Sequence, residues 1–254
     1  MEILNSKKKD ERQSRVWQGV SAGSLILVLL GSPMSNALAD VKVVEPGQAA
    51  IGMTYGDWGA VWQQWIQDIP ADVNPAFDNT GEYCAQGQSS GPVFFLVGAF
   101  TDEVPDTPLI SDVERDCTVP ANRHIFFPIV NVASDTIEGD FFGATEAAQR
   151  QLAGFYADLI DVGSLKVTVD GEAVANLSEF RAQSPAYHFF LPKKNNMWGL
   201  KPVNNDGYFG VADGYYVMLK PLSQGAHTVH FEGAFVSEGE VIFGLSVTYN
   251  LTVE

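Results

Sequence analysis

The chain has 254 residues, 46% hydrophobic and 11% aromatic, with 31 acidic against 15 basic side chains. That length allows one large domain or two small ones, and the apolar fraction supports a buried core and excludes intrinsic disorder. A net charge of −16 speaks against nucleic acid, whose phosphates need clustered Lys and Arg.

At the N-terminus, Lys7, Lys8, Lys9, Arg12 and Arg15 precede an apolar run from Val20 to Gly31, and Ala37-Leu38-Ala39 follows. This is the grammar of a secretory leader over residues 1–39, with cleavage leaving Asp40 as the first residue. The run falls short of the ~20 residues of a membrane span, so an uncleaved anchor is the weaker reading. There is no leader cysteine for a lipid and no consecutive arginine pair for twin-arginine export. Five of the 15 basic and three of the 31 acidic residues lie in the leader, so its removal takes the net charge from −16 to −18. Such a surface repels anionic membranes and polymers at long range. Export places the chain in the periplasm or outside the cell. In an oxidising compartment the only two cysteines, Cys84 and Cys117, are expected to form one bridge rather than two thiols or a metal site.

Residues 40–254 read as one mature domain, with helices in 40–162 and antiparallel strands in 163–254. Over 54–69, Trp58, Val61, Trp62, Trp65, Ile66 and Ile69 recur at helical spacing, with Gln63, Gln64, Gln67 and Asp68 on the other face. Thr54 or Asp57 can cap the start and Pro70 stops the helix. A second helix is predicted over 145–161, with Ala148, Leu152, Phe155, Tyr156, Leu159 and Ile160 inward, Thr145 as N-cap and Gly163 as the stop. Val93–Phe100 and His124–Val132 are short apolar runs compatible with buried strands. After Gly163 the period becomes two: Leu165, Val167 and Val169 lead to an Asp170-Gly171 hairpin turn. Asp213-Gly214 repeats that turn signal before Tyr215–Lys220, and Gln224-Gly225 turns into His227–Glu232. From Val241 to Val253 every second residue is apolar. The fold class is therefore mainly β with two amphipathic helices, an antiparallel sandwich-like single domain.

The segments YGDWGAVWQQW, GQSSGPVFFLVG, CTVP…FFPIVN, DGYYVMLKPL, GAHTVHF and VTYNLTV resemble landmarks of a group of secreted bacterial proteins whose activity is uncharacterised. The resemblance covers about residues 54–254. It implies export and a shared fold, and carries over no catalytic residue.

Several motifs carry candidate chemistry. Gly87-Gln88-Ser89-Ser90-Gly91 matches the G-x-S-x-G elbow, and Asp206 and His227 could complete a triad. An apolar run rather than a helix follows, so a turn is the expected role. His227 alternates with Val229 and Phe231, which favours a core histidine. Tyr187 and His188 could abstract a proton in a lyase, but adjacent strand residues face opposite ways. Asp135, Glu138 and Asp140 could give calcium half of its oxygens; a solvated acidic loop is the plainer reading. Trp58, Trp62 and Trp65 could stack on sugar, although helical spacing favours the core. The loop 193–208 gathers Lys193, Lys194 and Lys201 around Trp198, chemistry for an anionic glycan or an acidic protein partner. The leading expectation is an exported, non-catalytic β-rich domain that binds a glycan or another envelope component, or is structural. The alternative is a secreted carbohydrate-active enzyme, a lyase or hydrolase. No catalytic residue is assigned, and no cofactor is expected, with calcium the one candidate.

Overall fold

Thr54 opens the first helix with a reciprocal cap. Its hydroxyl accepts from the Asp57 backbone N–H at 3.2 Å, while the Asp57 carboxylate accepts from the Thr54 N–H at 2.9 Å. The hydrogen bonds from Thr54 hold the Asp57 carboxyl below its ordinary value. In the computed structural model, which describes residues 43–100, 109–137, 145–202 and 207–254, this helix is α1, Tyr55–Gln67. The leader expected over residues 1–39 lies outside the described residues.

Trp58, Trp62 and Trp65 are all buried, and each indole N–H finds a backbone carbonyl: Ala50 at 2.9 Å, Leu96 at 2.9 Å and Gln86 at 3.2 Å. The stripe is therefore core, which removes it as a sugar platform. Gln63 and Gln67, expected on the solvent face, are buried as well. The segment 187–200 covers them: Gln64 Nε2 donates to the His188 carbonyl at 2.7 Å, and Trp198 Nε1 donates to Gln67 Oε1 at 3.4 Å.

Ten strands follow: β1 (Val93–Phe95), β2 (Leu109–Val119), β3 (His124–Asp135), β4 (Lys166–Val169), β5 (Glu172–Ala173), β6 (Arg181–Gln183), β7 (Tyr187–Phe189), β8 (Tyr208–Leu219), β9 (Gly225–Ser237) and β10 (Glu240–Val253). The first sheet has the order β1-β3-β8-β6, with β7 continuing along the same edge of β8 as β6. The second sheet runs β2-β10-β9-β4-β5. The β-rich sandwich with two helices holds. Most pairs are antiparallel, while β1 with β3 and β2 with β10 are parallel.

Alternation assigns the faces. Phe126 and Tyr216 stack at 5.5 Å on the face under α1, where a side chain at Gly59 would meet the Tyr216 ring. Phe127, one residue on, stacks at 4.8 Å on Phe231 of the second sheet. The second helix, α2 (Glu146–Ala157), packs on β3 and β8 of the first sheet. Its buried side is Gln149, Ala153 and Ala157, and Phe155 and Tyr156 are exposed, opposite to the expectation. Small residues let the helix approach the sheet closely, while Gln149 Nε2 reaches the Asp135 carbonyl at 3.1 Å.

Asp213-Gly214 is not a turn. Both residues lie within β8, and the Asp213 carboxylate is buried against Arg181 Nε at 3.0 Å and Gln183 Nε2 at 3.1 Å. The charge-paired hydrogen bond to Asp213 comes first among the effects that raise the Arg181 value. At Gly214 a Cβ would stand 2.5 Å from the Val130 carbonyl, so glycine serves close strand approach here. Asp170-Gly171 is the hairpin turn expected, with φ of 53° and 83°. The Cys84–Cys117 disulfide is formed and ties the 78–84 loop to β2.

Candidate functional site

The second sheet turns a polar face to solvent. Asp116, Asn250 and Thr228 lie side by side across β2, β10 and β9, and Thr118, Thr252 and Ala226 form the next row. Asn250 Nδ2 donates to Glu114 at 2.8 Å and to Asp116 at 3.3 Å, which fixes the amide across the strands. A groove of 570 Å³ runs over these rows. One wall is the Gly81–Ala85 turn with Glu82, and the other is the corner made by Asp170 and His227.

Both walls are held. Asp78 fastens the first from below: its carboxylate accepts from the Thr80 and Tyr83 backbone N–H groups, both at 2.8 Å, and from the Thr80 hydroxyl at 2.6 Å. Burial pushes the Asp78 carboxyl up, but those hydrogen bonds and the charge of Arg115 outweigh it, leaving the carboxyl below its ordinary value. The bridge to Cys117 holds the same turn covalently. At the other wall, Asp170 Oδ1 accepts from Thr228 N at 2.8 Å and Oδ2 accepts from His227 Nδ1 at 2.7 Å.

Asp170, His227 and Ser223 reproduce triad distances, since Ser223 Oγ is 3.2 Å from His227 Nε2. The polarity is wrong. The Ser223 carbonyl is closer, at 2.9 Å, and can only accept. A hydrogen bond to that carbonyl uses Nε2 as a donor, whereas general-base catalysis requires its lone pair. The three residues clamp the 220–225 turn to the β4–β5 hairpin. His227, expected in the core, is satisfied at the groove wall instead.

Other expected sites fall apart or stay separate. Ser89 Oγ accepts from Gly91 N at 3.2 Å in an exposed turn, and β1 rather than a helix follows. Asp206 lies outside the described residues. Tyr187 is buried and His188 exposed on opposite faces of β7. Desolvation, with the Asp135 and Tyr216 charges behind it, raises the Tyr187 phenol well above its ordinary value. A buried phenol of that kind is no base, and Tyr187 and His188 do not converge as a lyase pair. Of the calcium candidates, Asp135 accepts from Ile137 N at 2.9 Å, and Glu138 and Asp140 lie outside the described residues. Among the described residues no three metal-ligating side chains come together.

The loop 190–201 is ordered by Asn196, which is buried. Its Nδ2 donates to the Pro192 and Leu200 carbonyls at 3.1 and 2.6 Å, and its Oδ1 accepts from Trp198 N and Leu200 N. One side chain thus pinches both ends of the loop, bringing Lys193 and Lys201 to its base beside Lys194. All three lysines are exposed, and Trp198 is 42% exposed. The loop sits along α1, and none of its residues lines the groove.

Sequence reasoning missed the groove because Glu82, Asp116, Asp170, His227 and Asn250 come from separate segments. The signal that could have found its floor is the polar alternate register of β10, Ser246, Thr248, Asn250 and Thr252, which marks a solvent-facing sheet surface. No family model matches this chain, and no curated protein is similar to it.

Proposed function

We propose that this is an exported, non-catalytic domain that binds a glycan in the groove across the second sheet. The observation that carries the reading is the floor. Asn250, Thr118, Thr228 and Thr252 present amide and hydroxyl groups in two straight rows on a rigid sheet, between two fastened walls. Preorganised hydroxyl, amide and carboxylate groups suit an extended polyhydroxylated chain, and little ordering cost is paid on binding. Glu82, Asp116 and Asp170 line the same space. Their charge favours a neutral or amine-bearing sugar over an anionic one. The disulfide supports an oxidising destination, and among the described residues no helix is long and apolar enough to cross a membrane.

Binding is favoured over glycoside hydrolysis by what the carboxylates already do. Hydrolysis needs two of them free to flank a bond. Asp170 is committed on both oxygens to the far wall, and Asp116 shares one of its two with Asn250. The test is affinity electrophoresis against dextran, laminarin, chitosan oligomers and polygalacturonate. A neutral or amino polymer should retard the protein, and Asn250→Ala with Thr252→Ala should abolish the retardation. No retardation by any polymer overturns the reading, and release of reducing ends from a retarding polymer overturns its non-catalytic part.

A further inference from the structure

We propose that the 190–201 loop docks the protein on the surface of an anionic lipid bilayer. Three side chains carry the apolar half of the argument: Phe190, Trp198 and Leu200 are 57%, 42% and 45% exposed. They are three of the nine exposed large hydrophobic residues among those described, within eleven positions of sequence. Charge carries the other half. Lys193, Lys194 and Lys201 fall in the same stretch and are exposed, and no acidic residue occurs between Glu179 and Asp206 in a chain of net charge −16.

The loop is built rather than slack. Asn196 pinches it, Asn195 and Gly199 take the left-handed conformation its turns need, and the Asn195 carbonyl accepts from Ala71 N beside α1. Trp198 is held at one corner by Gln67, so its ring is presented in a fixed orientation.

Aromatic and aliphatic tips framed by lysines match the chemistry of a membrane interface. Rings and Leu enter the headgroup boundary while lysine stems lie along it and keep their ammonium groups at the anionic surface. A sugar would stack on Trp198 alone and give no reason for exposed Phe190 and Leu200. The net negative charge of the molecule opposes approach at long range. At physiological salt, however, screening acts within about 8 Å, so a surface in contact with the loop meets the lysines first.

The experiment is vesicle co-sedimentation of the purified protein with phosphatidylcholine alone and with equal parts phosphatidylcholine and phosphatidylglycerol. Binding is expected only to the anionic vesicles and should fall steeply at 0.5 M salt. Lys193→Ala/Lys194→Ala/Lys201→Ala should lower the partition coefficient roughly a hundredfold, three lysines acting at a charged surface. A lipid-borne quencher should reduce tryptophan emission more in the wild type than in Trp198→Ala, because Trp58, Trp62 and Trp65 are buried and Trp17 is common to both. All variants carry the same N-terminal segment, so differences between them report on the loop. Equal partition of wild type and the lysine variant overturns the proposal. So does retention of the loop's binding on polygalacturonate or an acidic protein without vesicle binding. Neither result bears on the groove, which is lined by other residues.

Discussion

Arg115 Nη1 donates to the hydroxyl of Tyr249 at 2.7 Å, and the guanidinium lies 5.4 Å from the centre of the same ring. The pair sits between the sheets and the 78–98 segment, where Arg115 is 1% exposed. Nη1 also donates to the Val97 and Gly98 carbonyls, both at 3.0 Å, and Nε donates to the Asp78 carbonyl at 2.6 Å. One buried cation therefore joins β2, β10 and the groove's near wall. Arg115→Ala should cost about 3–5 kcal/mol, because it empties a buried site and strands the Asp78 and Gly98 carbonyls in a dry interior, while the Tyr249 hydroxyl keeps its bond to the Val97 carbonyl. Arg115→Met should cost less, since it fills the volume. Urea denaturation with matched m-values checks both.

The carboxyl of Asp78 sits below its ordinary value in the fold. A group depressed in the folded state contributes stability that is complete above its unfolded value, about 3.9, and is lost as pH falls through the folded one. The urea midpoint should therefore drop on acidification below about pH 4, and Asp78→Asn should flatten that part of the profile. An unchanged slope in the variant would assign acid sensitivity to other groups.

Reducing the Cys84–Cys117 bridge reopens a loop spanning 33 positions. The chain-entropy argument puts the loss at about 3–4 kcal/mol. Reduction should also weaken any ligand held in the groove, because Glu82 stands on the released wall. Melting curves with and without reductant, repeated with ligand, separate the two effects.

Trp62→Ala should cost roughly 3–5 kcal/mol, since it empties a core site and leaves the Leu96 carbonyl unpaired. A loss below about 1 kcal/mol, against that range, would mean that α1 does not pack as described.

The α1 stripe, the Asp170-Gly171 turn, the β10 alternation and the disulfide were legible because each depends on neighbours in sequence or on a unique pair. β2 was not legible. Its inward register is Val113, Arg115, Cys117 and Val119, and a buried arginine amid Asp112, Glu114 and Asp116 hides the alternation. The face of α2 was misread because size was taken for burial. Gln149, Ala153 and Ala157 pack inward by close approach, and Phe155 and Tyr156 do not. Asp213-Gly214 has turn composition, yet Arg181 offers Asp213 a buried partner, and tertiary pairing overrides the local signal. At the candidate site, the Trp198 loop was visible as a basic, aromatic run. The groove needed Asp170 to meet His227 across 57 positions, which no local pattern encodes.

The Asp170–His227–Ser223 arrangement gives the sharpest choice between clamp and catalyst. As a clamp, the working contacts are His227 Nδ1 to Asp170 and Nε2 to the Ser223 backbone carbonyl. The serine side chain is then dispensable, because alanine keeps the carbonyl. Ser223→Ala should leave the melting temperature and groove binding unchanged, and a fluorophosphonate probe should not label the protein. His227→Ala should cost about 1–3 kcal/mol, the range for leaving hydrogen-bond partners unpaired. It should also weaken groove binding, because Asp170 loses the contact that orients the far wall. As a catalyst, the pattern inverts: the probe would label Ser223, Ser223→Ala would abolish labelling, and His227→Ala would slow it with little change in melting temperature. Labelling that follows this second pattern would require Nε2 to turn from the carbonyl to Oγ, and the binding-only reading of the groove would then be wrong.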